Sequence, residues 1–159
     1  MPDFLTDAEI DALLAEPKRL PEGFRDRLAV RQKRGHQEAE LEVQGDEGSE
    51  FRVIVRRSSL NPLDFSVILA YVVPNSNRVI RLRRYNGRSH HHTNPLEREV
   101  FFGFHVHSAT ERYQMSGSRE DAFAEPSDGY ASLEEAIDCL LQDCGFVLPP
   151  GHQADMFRV

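Results

Sequence analysis

Five of the seven histidines fall between positions 90 and 107: His90, His91, His92, His105 and His107. Imidazole near its unperturbed pKa of ~6.5 gives or takes a proton at neutral pH. Arg81, Arg83 and Arg84 stand just before the cluster, and a guanidinium fork grips a phosphate at two points. Together these groups suffice to cleave RNA. One histidine removes the 2′-OH proton, another protonates the leaving oxygen, and arginine stabilises the charged transition state. The expected catalytic set is His90, His92, His105 and His107, with Arg81, Arg83 and Arg84 on phosphate. Tyr85 and Asn86 would orient substrate at the strand end, and Tyr113 would stack on a base. This chemistry needs no cofactor.

Neutral imidazole also binds zinc, iron or nickel, and a His-x-His pair on a strand supplies two ligands on one face. Glu111 follows His105 and His107 at the spacing of the first metal motif of cupins. The alternative reading is therefore a divalent transition metal such as zinc on His105, His107 and Glu111. Glu99 stands where cupins place a leading glycine, and residues 132–144 read as helix where the second motif's strand would be. His91-His92-Thr93 matches one half of the paired His-x-Thr signature of two-histidine phosphoesterases, and the second half is missing. No Gly-rich phosphate loop, nucleophile elbow or CxxC pair occurs. A third reading is non-catalytic, an interaction module whose acidic ends and arginine-rich sheet bind a protein partner.

The order of features resembles the small His-rich toxins of bacterial toxin–antitoxin modules, the TumE type. The matching run is Leu82-Arg83-Arg84-Tyr85-Asn86, then Ser89-His90-His91-His92, then Phe104-His105-Val106-His107. It covers about residues 78–107. The chain departs from that pattern in its length, its own amino-terminal helix and its continuation through Ala109-Thr110-Glu111-Arg112-Tyr113-Gln114. The resemblance implies a phosphodiester-cleaving toxin with RNA as substrate and a cognate antitoxin whose acidic residues cover the basic face.

The elements that must position these residues are legible from their periods. Thr6 and Glu9 form a capping box flanked by Leu5 and Ile10, which starts a helix that Pro17 ends. Residues 1–36 form a helical amino-terminal segment. From Gln37 the period becomes two: Ala39, Leu41 and Val43 alternate with glutamates, and Gly45-Asp46-Glu47-Gly48 turns the chain into Phe51, Val53 and Val55. The apolar run 65–73 reads as a central strand, 78–85 as its neighbour and 99–107 as the last. On that last strand Val100, Phe102, Phe104 and Val106 face the core, and His105 and His107 project oppositely, about 7 Å apart. A His-rich loop spans 88–98 and is expected to fold back toward them. Ser132 and Glu135 cap a carboxyl-terminal helix over 130–145. The expected fold is α+β: an antiparallel sheet of four to five strands over 37–107, with the first and last helices packed on one face.

A chain of 159 residues is the length of a single domain, here 1–159, large enough to fold without disulfides or a structural metal. No apolar run approaches ~18 residues, so no membrane association is expected. Met1-Pro2-Asp3 has no h-region, and Cys139 and Cys144 fit no disulfide framework, so a cytoplasmic location is expected. The net charge of −7 argues against coating nucleic acid by charge alone. Its distribution is uneven: the first 50 residues net −6, the next 50 net +6 and the remainder −7.

Overall fold

The computed structural model describes residues 4–88 and 91–151. The chain opens with α1 (Asp7–Ala15), β1 (Lys18–Arg19), the single turn α2 (Phe24–Arg27) and β2 (Arg31–Gln32). Four long strands follow: β3 (His36–Gln44), β4 (Glu50–Ser58), β5 (Phe65–Val72) and β6 (Val79–Asn86). Three short ones come next: β7 (His91–Asn94), β8 (Glu99–Phe102) and β9 (His105–Ser108). The chain ends with α3 (Glu111–Met115), β10 (Phe123–Pro126), α4 (Leu133–Asp143) and β11 (Phe146–Val147). Among the described residues no helix is long and apolar enough to cross a membrane.

The architecture is α+β around a seven-stranded antiparallel sheet in the order β10-β9-β6-β5-β4-β3-β2. The sequence suggested four or five strands. The additional two, β2 and β10, are short edge strands whose existence depends on a partner rather than on their own periodicity. The amino-terminal segment is likewise less helical than expected, since β1 and β2 interleave with α1 and the one-turn α2.

One face of the sheet carries the core. Leu41, Phe51, Val53, Val55, Val67, Leu69, Leu82 and Tyr85 are all essentially inaccessible to solvent. On α4, Leu133, Ala136, Ile137, Leu140 and Leu141 fall at helical spacing and are buried against them, each large side chain contributing about 2 kcal/mol of apolar burial. Ser132 starts this helix by accepting the Glu135 N–H at 3.2 Å. The capping box of α1 forms as well, with the Glu9 N–H on the Thr6 hydroxyl and the Thr6 N–H on the Glu9 carboxylate, and Ile10 joins the same core.

Residues 99–107 do not form one strand. Gly103 adopts φ +129°, a conformation closed to other residue types, and the chain changes sheets there. β8 pairs with β7 in a separate two-stranded ribbon, while β9 inserts between β6 and β10. Val100 and Phe102, expected in the core, are therefore 62% and 53% exposed on the ribbon's outer side. Phe104 and Val106 do pack against the core. Much of the expected loop 88–98 is this ribbon.

Candidate metal and anion site

Position on β6 is decided by a bulge. Leu69 pairs with Arg83 and Ala70 with Arg81, so Leu82 is an extra residue in the ladder. Beyond it the alternation restarts. Arg84 sits opposite His107 and Asn86 opposite His105, on the face away from α4. Arg83 and Tyr85 turn to the helix side, where the Tyr85 hydroxyl donates to Asp143 at 2.6 Å and Arg83 lies beside Tyr85, Cys144 and Asp143. Both were expected on substrate. The bulge places the sheet between them and the histidines.

His105 and His107 leave the core face as the β9 alternation requires, yet they are only 2% and 3% exposed. The β7–β8 ribbon folds over them. His92 points inward from β7, its ring centroid 5.4 Å from that of His105 and 4.7 Å from that of His107, and the last two are 5.0 Å apart. Phe101 covers His92 and His105 from β8. Asn94, itself 1% exposed, fastens the ribbon to β10 by exchanging hydrogen bonds with the Ala124 N–H and C=O at 2.9 and 2.7 Å.

Each ring has one nitrogen committed to an oxygen that accepts. His105 Nδ1 lies 2.7 Å from the Gly103 carbonyl, and His107 Nδ1 2.7 Å from the Asp121 carbonyl. His92 Nε2 lies 2.8 Å from Asn94 Oδ1, an oxygen identified as such by the Ala124 N–H that also reaches it. A carbonyl or amide oxygen has no hydrogen to give, so each of these nitrogens carries the proton. In the neutral rings that a metal ion takes as ligands, the lone pairs are then on His92 Nδ1, His105 Nε2 and His107 Nε2. One ring nitrogen from each histidine lies within 4.8 Å of the other two. Burial first, and then the charge of Arg84, pull the pKa of His107 down to about 2, so its ring is neutral throughout the physiological range.

The three rings open onto a pocket of about 300 Å³ lined also by Arg84, Asn86, Arg119 and Ala122. The Asn86 amide is oriented by Ser66, whose hydroxyl donates to its oxygen at 2.8 Å, and its nitrogen lies 3.5 Å from His105 Nε2. Asp121, fully buried, stands behind the arginines: 3.1 Å from Arg84, and 3.8 Å from both Arg81 and Arg119. Its main-chain carbonyl is the one that holds His107.

Other expected site residues lie elsewhere. Glu111, the expected metal ligand, accepts the Asp7 N–H from its place at the start of α3 and is absent from the histidine group. Tyr113 is fully buried, with its hydroxyl bonded to Glu97 and the Leu96 N–H, so no base can stack on it. Arg81 is occupied by Glu120 at the rim. His91 faces out from the ribbon, and His90 lies outside the described residues. Across β3 and β4, Arg52 pairs with Glu40 and Glu42, and Arg56 with Glu38, so much of the basic middle third is neutralised within the chain. Three contributors were not anticipated. Asn94 lies within the expected loop 88–98, and Arg119 and Asp121 lie in a stretch without periodicity.

No curated protein and no solved structure matches the chain. A family model matches residues 5–145, nearly the whole chain, and the protein belongs to that family, DUF6978, a family of unknown function.

Proposed function

We propose that this protein is a metal-dependent enzyme whose centre is a divalent transition ion, zinc the simplest case, on His92, His105 and His107. The observation that carries the reading is the set of three outer-nitrogen hydrogen bonds to Gly103, Asp121 and Asn94. Metal-bound histidines are held in this way, with the second N–H on a carbonyl or amide oxygen to fix tautomer and ring plane. Three imidazoles with one side left open are the donor set of hydrolytic zinc sites, whose fourth position takes water or substrate. In the metal-free alternative, RNA cleavage by paired histidines, the deeply buried, Arg84-flanked His107 could serve as the neutral base but is unsuited to be the protonated acid.

The test is metal analysis of protein loaded with zinc and dialysed against buffer. One zinc per chain is expected, with loss of stoichiometric binding in His92→Ala, His105→Ala and His107→Ala. Glu111→Ala should bind as the parent does. Asn94→Ala should keep the three ligands and lower the affinity by about 10- to 100-fold, because the His92 ring loses its anchor. Absence of zinc binding by the folded parent protein overturns the reading.

A further inference from the structure

We infer that the open side of this site is a phosphoryl subsite, in which Arg84 and Arg119 bind the oxygens of a tetrahedral phosphate group. The inference deepens the metal reading by naming the ligand class, and it stands on different residues.

Three arginines, Arg81, Arg84 and Arg119, converge on the one carboxylate of Asp121. Arg81 has a second acidic partner in Glu120; among the described residues Arg84 and Arg119 form no ion pair besides that with Asp121. Among the described residues neither oxygen of Asp121 receives an aligned hydrogen bond, so the carboxylate offsets charge without occupying the guanidinium forks. Among the described residues the pocket wall contains both of these arginines and no acidic side chain. Its remaining lining is three imidazoles, one amide and Ala122. A cavity built this way has a surplus of donors and positive charge before any metal enters, and an anion is what completes it.

The arrangement of donors selects among anions. Arg84 is largely sequestered, its side chain 16% exposed, whereas Arg119 is 57% exposed and reaches the pocket from the segment between α3 and β10. Asn86 lines the same cavity from β6. Donors thus come from two facing segments of chain, β6 and the connection between α3 and β10, a match for an anion with several oxygens pointing in different directions. A planar carboxylate has only two. Asp121 is a positioning residue here: it holds the guanidiniums at the pocket while its main chain holds His107.

The experiment is calorimetric titration of inorganic phosphate into the full chain, zinc-loaded and zinc-free, with acetate as the comparison anion. Phosphate is expected to bind the zinc-loaded parent and to bind more tightly than acetate. Arg119→Ala, a change at an exposed side chain, should weaken phosphate by about 10- to 100-fold, the range for one charge-assisted contact, with zinc stoichiometry unchanged. Arg119→Lys should recover only part of the loss, since an ammonium lacks the fork. Arg84→Gln serves as a second probe once circular dichroism shows it folded. Phosphate affinity unchanged in both folded variants, no phosphate binding at all, or acetate binding as tight as phosphate would each overturn the inference. If the parent takes no zinc yet binds phosphate in an Arg119-dependent way, the metal reading fails and the subsite stands.

Discussion

At His107 several influences meet on one ring. Burial strips water from both nitrogens and penalises the imidazolium, and Arg84 adds positive charge nearby. The Asp121 carbonyl favours the charged form, but by less, and the pKa settles at about 2 against an ordinary value of 6.5. The linkage has a definite sign. Between these two values the unfolded chain takes up a proton that the folded one refuses, so stability is full above pH 6.5 and is lost as pH falls toward 2. A single group of this kind contributes a slope of up to about 1.4 kcal/mol per pH unit. Metal-free protein should therefore melt at a lower temperature at pH 5 than at pH 7. His107→Gln, which keeps a polar filler, should flatten that slope by about one proton's worth. Thermal scans across the interval check this, and equal slopes for parent and variant would refute it.

The elements show which parts of this arrangement local sequence can encode. Helices α1 and α4 carry their caps and stripes within a dozen residues, and the β3–β4 hairpin carries its own turn, so all three were legible. The β6 bulge was not, because Arg81-Leu82-Arg83-Arg84 alternates acceptably in either register and the choice lies with β5. For the same reason Arg81, Arg83 and Arg84 could be grouped from sequence although the sheet separates Arg83 from the other two. The break at Gly103 was hidden by an alternation that runs unbroken through it. The histidine cluster was legible because alternation alone places His105 and His107 on one face, while the choice of His92 over His91 required the ribbon. Gly87 anchors that ribbon's entry. Its N–H and that of Arg88 bond to the Phe65 and Leu63 carbonyls at 2.9 and 2.8 Å. A Cβ there would come within 1.9 Å of the Leu63 carbonyl oxygen, which is backbone and cannot swing away. Gly87→Ala should cost about 1–3 kcal/mol, read as a lower urea midpoint. A midpoint matching the parent would show that the junction relaxes freely.

Across the whole molecule the two faces of the sheet divide the work. The helix face holds the apolar core, and the opposite face holds the histidines, the ion-pair ladder and the pocket. β1 and β11 pair in parallel, Lys18 opposite Phe146, and the Lys18 side chain is fully buried. Its ammonium donates to the carbonyls of Leu13, Leu14 and Glu16 at the end of α1 and to that of Cys144 at the end of α4, at 2.7–3.2 Å. It also lies 4.5 Å from the centroid of the Phe51 ring. One cation thus satisfies carbonyls that two helix ends leave over, where the helix dipoles favour positive charge. Burial lowers its pKa to about 8, which leaves it mainly protonated at neutral pH. Lys18→Met retains the bulk and removes the donors, stranding buried carbonyls from two helices. The expected loss is about 2–4 kcal/mol, seen as a lower denaturant midpoint. Because the sheet stands between Lys18 and the histidines, the folded fraction of this variant should take up zinc as the parent does. A variant that melts like the parent would show water replacing the ammonium, and one that folds stably but loses zinc would show that the two faces are coupled through the sheet.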